Sequence, residues 1–221
     1  MTKRIPLKDR VLPSYSQAEE LTNMITHILG GVLGIVVLVL CLLRANTAAQ
    51  TAGALVFGCT MIGLYTVSSV YHGLKPSMAK KVMQVVDHCA IYCLIAGTYT
   101  PILLSAFLPV YPAITWGLLA IQWGLCLIAT VLTAIDLKKY RIFSMICYIG
   151  MGWSIIAFLR QCIEVMTDTG FYLLLSGGIV YTIGAILYGI GSKKPWFHCI
   201  FHIFVVGGSL LQFLSVLLYA M

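Results

Sequence analysis

Apolar runs long enough to cross a bilayer recur along the whole of this chain. They cover 21–43, 51–74, 83–107, 113–135, 142–159, 171–191 and 196–220. About 20 consecutive apolar residues span the hydrocarbon core as a helix. Only helices and closed barrels satisfy their backbone polar groups there. The pattern therefore predicts an all-α polytopic membrane protein with seven transmembrane helices. No stretch remains for a soluble domain: 1–20 reads as a short polar tail and 21–221 as one transmembrane domain. The tail, MTKRIPLKDRVLPSYSQAEE, has no apolar core, so no signal peptide is expected. Composition agrees, with 60% hydrophobic and 10% charged residues. A soluble domain carries about 45–50% and about 25%.

The net charge of +7 matters through its distribution. Lys3, Arg4, Lys8 and Arg10 precede the first run, Lys75, Lys80 and Lys81 separate the second and third, Lys138, Lys139 and Arg141 the fourth and fifth, and Lys193 and Lys194 the last two. Only Arg44 and Arg160 fall on the other side. The positive-inside rule then sets the N-terminus in the cytoplasm and the C-terminus outside. The basic residues serve orientation and contact with anionic inner-leaflet lipid. Membrane lipids are the expected partners, nucleic acid is not, and a homo-oligomer is compatible with the sequence. The expected location is the cytoplasmic (plasma) membrane. The eight cysteines form no C-x-x-C pair and read as apolar packing residues.

With this orientation all five histidines lie in the cytoplasmic half. His72 is roughly 4–5 Å deep, His198 and His202 roughly 6 and 12 Å, and Asp87, His88 and His27 roughly 10 Å. His198 and His202, in HCIFH, are four residues apart, which sets them about 40° apart around a helix and lets both point at one centre. Imidazole nitrogens bind zinc at about 2.0–2.1 Å, but two are too few for a stable site. His72 is the candidate third ligand, with Ser68 one turn before it. Asp87 is the candidate fourth group, bound directly or through water. The plainer reading is a set of interhelical hydrogen bonds, with Asp87 paired to Lys81 or a histidine. An intramembrane carboxylate without positive compensation is costly, which favours the metal. In EELTNMITH, Glu20, Asn23 and His27 form one polar stripe. Glu20 there suits the helix dipole and Asn23 suits a tie between helices.

The set Ser68-x-x-x-His72, Asp87 and His198-x-x-x-His202, with DHCAIYCLIAGTYTP (87–101) and EELTNMITH (19–27), resembles the signature of the hemolysin III and progestin/adipoQ receptor family. The resemblance covers essentially the whole chain, and the short tail is similar to the bacterial hemolysin III branch. It implies an N-in seven-helix bundle with zinc near the cytoplasmic face, His72, His198 and His202 as ligands, and Asp87 and Ser68 beside the metal. Alkaline ceramidases are similar in the same Ser, Asp and His pattern.

Zinc held by three histidines with an open position activates water for attack on a carbonyl. At this depth the carbonyls in reach are those of inner-leaflet lipid amides and esters. One expectation is thus a zinc-dependent lipid hydrolase, with Asp87 taking the water's proton or orienting it and Ser68 hydrogen-bonded to that water or to Asp87. The other is non-enzymatic: a membrane sensor, or a cytolysin-like pore, with a structural zinc. Gly30, Gly34, Gly58, Gly63, Gly177, Gly178, Gly184, Gly207 and Gly208 are expected at close helix contacts, and Pro101 is expected to kink the third span. A retinal protein is excluded because 196–220 contains no lysine. A G-protein-coupled receptor is excluded by the charge distribution. A proton path through Asp87, His88 and His27 lacks polar continuation in the outer half, where Gln122 and Ser154 are among the few candidates.

Overall fold

The computed structural model describes residues 5–191 and 194–221. Lys3, Arg4 and Lys193 of the charge count lie outside the described residues. The helices are α1 (Gln17–Arg44), α2 (Ala48–Gly73), α3 (Met78–Pro101), α4 (Pro112–Ile135), α5 (Arg141–Trp153), α6 (Leu159–Gly191) and α7 (Phe197–Ser215). There is no strand among the described residues.

Six helical segments are long and apolar enough to cross a membrane, where the runs predict seven. The difference arises because the expected spans 142–159 and 171–191 fall in one helical segment, Arg141–Gly191, of 51 residues. A 3-10 turn, Ser154–Phe158, joins α5 to α6. Inside α6 the backbone of Thr167 is not helical, with φ 66° and ψ 165°. That region is nearly glycine-only and costs a residue with a Cβ about 1–3 kcal/mol.

Caps move two helix starts earlier than the apolar runs suggest. Glu19 N donates to Ser16 Oγ (3.2 Å) and Ser16 N to Glu19 Oε2 (2.9 Å), a capping box that starts α1 at Gln17. Lys80 N donates to Ser77 Oγ (3.2 Å), so α3 starts at Met78 and holds Lys80 and Lys81 in its first turn. At its other end Pro101 closes the α-helical part of α3, and a π-helical turn, Ile102–Phe107, carries the chain onward.

Helix α1 packs on α2 and α7, α2 on α3, α3 on α4, and α6 on α7. Several of these contacts depend on glycine, those of α1 with α2 and of α6 with α7 among them. A Cβ on Gly34 would sit 3.0 Å from the Ile62 backbone nitrogen, and one on Gly177 would sit 3.0 Å from Gly208 O. Gly63 and Gly178, also expected at such contacts, have no neighbour within 4 Å of that position. Leu29, Val32, Ile35, Ile142 and Ile190 stay exposed, as side chains facing lipid do.

At one end of the bundle Lys81 Nζ donates to Lys8 O (2.5 Å), Arg10 Nη2 to Ile135 O (3.0 Å) and Ile5 N to Asp136 Oδ2 (3.3 Å). The tail therefore runs across that end. At the opposite end Arg44 Nε donates to Met221 O (3.4 Å) and Tyr111 OH to Glu164 Oε2 (2.6 Å).

Candidate metal centre

Helix α7 begins after Trp196, whose backbone is left-handed (φ 67°, ψ −13°). Trp196 N donates to Glu19 Oε1 (2.6 Å), so the start of α1 holds the start of α7. This sets His198 and His202, one turn apart, against the last turn of α2, which carries His72. The three histidines expected to share a centre do meet: their ligand nitrogens lie within 4.8 Å of one another. His198 Nε2 is 3.2 Å from His72 Nε2 and 3.0 Å from His202 Nε2. His72 and His202 are only 2% and 1% exposed, so water does not compensate these nitrogens.

Nitrogens bound to one tetrahedral ion at about 2.0–2.1 Å stand about 3.3–3.4 Å apart. The observed separations are close to that. Hydrogen bonding alone fits less well. Each imidazole nitrogen either donates one proton or offers one lone pair, so His198 Nε2, facing two other nitrogens, serves only one of them well. The donor set fits a divalent cation that takes imidazole ligands, zinc among them.

Helix α1 contributes more to this centre than its sequence suggests. His72 Nδ1 lies 2.7 Å from Glu20 Oε2, and Lys80 Nζ donates to Glu20 Oε1 (2.6 Å). Asn23 Nδ2 lies 3.5 Å from the same His72 nitrogen. The His27 ring stacks on His202 with centroids 3.7 Å apart, and neither of its nitrogens has a partner among the described residues. His27 is thus a neighbour of the cluster and not a member of it. From the tail, Tyr15 stacks on His198 at 4.9 Å and covers that side of the cluster. Burial pushes the Tyr15 phenol well above its ordinary range, so it stays neutral.

Ser68 and Asp87 are beside the cluster without joining it. Both are buried and line one cavity of about 220 Å³ together with His27, His198 and His202. Ser68 Oγ has no hydrogen-bond partner among the described residues. Asp87 Oδ2 is 3.9 Å from His88 Nδ1, and that nitrogen is engaged by Gln84 O at 2.8 Å. Of the two partners that the plainer reading allows Asp87, a histidine is near, His88, whereas Lys81 reaches the tail carbonyl of Lys8. Beyond Asp87 the cavity runs between α3, α5, α6 and α7, past Leu94, Ile155, Phe171 and Leu174. Its wall is mostly apolar, with Thr98, Thr182 and Gln212 among the polar residues that line it away from the histidines.

The sequence pattern singles out the three histidines that cluster, and Ser68 and Asp87 near them, but gives no sign that Tyr15, Glu19 and Lys80 lie at this place. Glu20 was visible only as part of a polar stripe, with nothing to name His72 as its partner.

Comparison with known proteins adds the ancestry. A family described as "Haemolysin-III related" matches residues 15–213. "Hemolysin-3" of Bacillus cereus is 39% identical over 206 residues, covering 92% of this chain and 92% of that one. "Hemolysin-3 homolog" of Bacillus subtilis (strain 168) is 38% identical over 204 residues, 91% of this chain and 94% of its own. The human "Monocyte to macrophage differentiation factor" is 25% identical over 225 residues, 98% of this chain and 90% of its own.

Proposed function

The chain belongs to the haemolysin-III-related family, and from that premise we propose that it is a zinc-binding hydrolase of lipid amide or ester bonds at the inner leaflet. Family membership and six apolar helices make it a multi-pass membrane protein. In our reading it crosses the cytoplasmic (plasma) membrane seven times. The Arg141–Gly191 segment has 51 residues and would be about 77 Å long if straight, against a hydrocarbon core of about 30 Å. It crosses twice, turning near Thr167. The basic loops then share the cytoplasmic end with the tail, in keeping with the contacts of Lys8, Arg10 and Glu19.

One observation carries the hydrolase reading: His198 and His202, two of the three clustered histidines, line a largely apolar cavity that Ser68 and the buried carboxylate of Asp87 also line. His72, His198 and His202 would hold the metal. When bound, zinc supplies a Lewis acid for the carbonyl and lowers the pKa of water to about 7. The apolar wall takes the acyl chain and excludes bulk water. Asp87 accepts a proton at a carboxylate oxygen and passes it to the leaving group. Ser68 Oγ, beside Asp87, orients the attacking water or the carboxylate.

A second reading keeps the metal and drops the chemistry. The ligands come from α2 and α7, far apart in sequence, so a closed site would clamp the bundle, as suits a membrane sensor. The name of the Bacillus cereus relative suggests a third, a cytolytic pore. Seven apolar spans favour residence in the cell's own membrane over release through water.

Asp87→Asn tests the proposal. Asparagine keeps the shape but does not act as a base, a change typically worth about 10²–10⁴-fold. Reconstituted wild type should cleave an amide- or ester-linked lipid, read by mass spectrometry, and Asp87→Asn should lose that turnover while keeping its zinc. A wild type that binds zinc and turns over no amide or ester lipid favours the clamp. Bilayer conductance indifferent to chelation favours the pore.

A further inference from the structure

We infer that Glu20 and Lys80 are positioning residues for the metal, an outer pair that fixes His72 in the form able to bind it. The inference rests on the zinc reading above and assigns roles to two residues outside the ligand set. A carboxylate at this site accepts hydrogen bonds and does not donate them. Its 2.7 Å contact therefore puts the proton of His72 on Nδ1 and leaves the lone pair on Nε2, the atom that faces His198 and His202. The other two histidines have no such help: His198 Nδ1 and His202 Nδ1 lack partners among the described residues. Among the described residues, His72 is the one ligand whose tautomer a side-chain hydrogen bond sets in advance.

Lys80 completes the device. Its ammonium is 3% exposed, a costly position unless its charge is answered. Glu20 Oε1 answers it at 2.6 Å, and Leu74 O, at the C-cap of α2, accepts a second bond at 2.9 Å. Lys80 thus holds the Glu20 carboxylate against the end of the helix that carries His72. Three elements converge on one imidazole: α1 through Glu20, α2 through His72 itself, and α3 through Lys80. Turning the Asn23 amide over would bring Oδ1, which has no partner, to the same Nδ1 proton as a second acceptor. When the cation is present, Glu20 is an anion one imidazole away from it. When it is absent, Lys80 balances Glu20.

Outer-shell partners of this kind are worth about 10–100-fold in metal affinity. The test measures zinc Kd of the purified full chain by competition with a chromogenic chelator, and the visible spectrum of the cobalt-loaded form. Glu20→Ala should weaken zinc by about 10–100-fold and shift the cobalt bands. Glu20→Gln, which keeps an acceptor but no charge, should fall between Ala and wild type. It also serves if the alanine variant does not fold. Lys80→Met should weaken binding less than Glu20→Ala, and Lys80→Arg should restore it. Wild-type Kd and cobalt spectrum in Glu20→Ala or Glu20→Gln, even with a lowered melting temperature, would overturn the inference by showing a merely structural role. A wild type that binds no zinc would overturn the metal reading itself.

Discussion

His202 and His27 stack face to face at 3.7 Å, yet only His202 turns a nitrogen to the cluster, 3.0 Å from His198. Replacing each by alanine should therefore have opposite consequences for metal. With free zinc at 100 times Kd, binding to the folded state adds about 2.7 kcal/mol. For a chain of this size 1 kcal/mol moves Tm by about 2–4 °C, so saturating zinc should raise the wild-type Tm by about 5–11 °C. His202→Ala leaves two ligand nitrogens, too few for a stable zinc site. Its zinc-dependent shift should vanish, and bound metal should drop from about one per chain to near zero. His27→Ala should retain both. In the zinc-free protein each variant loses the same stacking contact, worth about 0.5–1.5 kcal/mol. His27→Ala also removes two buried nitrogens that lack partners, which offsets part of that loss. Differential scanning fluorimetry in detergent across a zinc titration, with metal counted by mass spectrometry, measures both quantities. A zinc shift that survives His202→Ala but disappears in His27→Ala would refute the ligand assignment and the use of Nε2 geometry behind it.

Two further predictions concern orientation and the tail. Reporter fusions after Lys81, Lys139 and Lys194 should read as cytoplasmic and a C-terminal fusion as external; a cytoplasmic C-terminus would contradict the seven-span topology. Asp136 is buried, which pushes its carboxyl up, but N–H donors from Lys139, Ile5 and Lys138 and the charge of Arg10 outweigh burial and hold it below the ordinary range. A depressed pKa contributes stability above the unfolded value of about 3.9 and loses it as pH falls through the folded value. The tail should therefore stay docked at neutral pH and loosen only as acid protonates Asp136, below the ordinary carboxylate range. Asp136→Ala should mimic that release at pH 7, read as faster tryptic cleavage after Lys8 and Arg10; unchanged cleavage would show that Asp136 does not hold the tail.

Much of this protein is legible along the chain because it rests on local chemistry. The cost of an exposed peptide group in lipid makes each apolar run a helix, and 3.6 residues per turn put His198 and His202 on one face. Depth counting, which needs only rise per residue and the charge pattern, sets His72, at roughly 4–5 Å, near the level of His198, at roughly 6 Å, and these two do meet. The rest depends on which helices touch. Glu20 reads alone as a residue suited to a helix dipole, and its role appears only when α1 packs on α2 and brings it to His72, 52 positions away. Glu19 meets Trp196 across 177 positions, and Tyr15 reaches His198 from a tail that reads as plain polar sequence. The break between 142–159 and 171–191 is legible as a gap between two apolar runs, but the positive-φ backbone that Thr167 adopts there is not, since threonine ordinarily avoids it. Hydropathy and helical period act over a few residues and survive in any packing. A hydrogen bond between helices requires two side chains to arrive within about 3 Å, and that distance is set by how glycine-thinned helix faces fit together, which no single helix encodes.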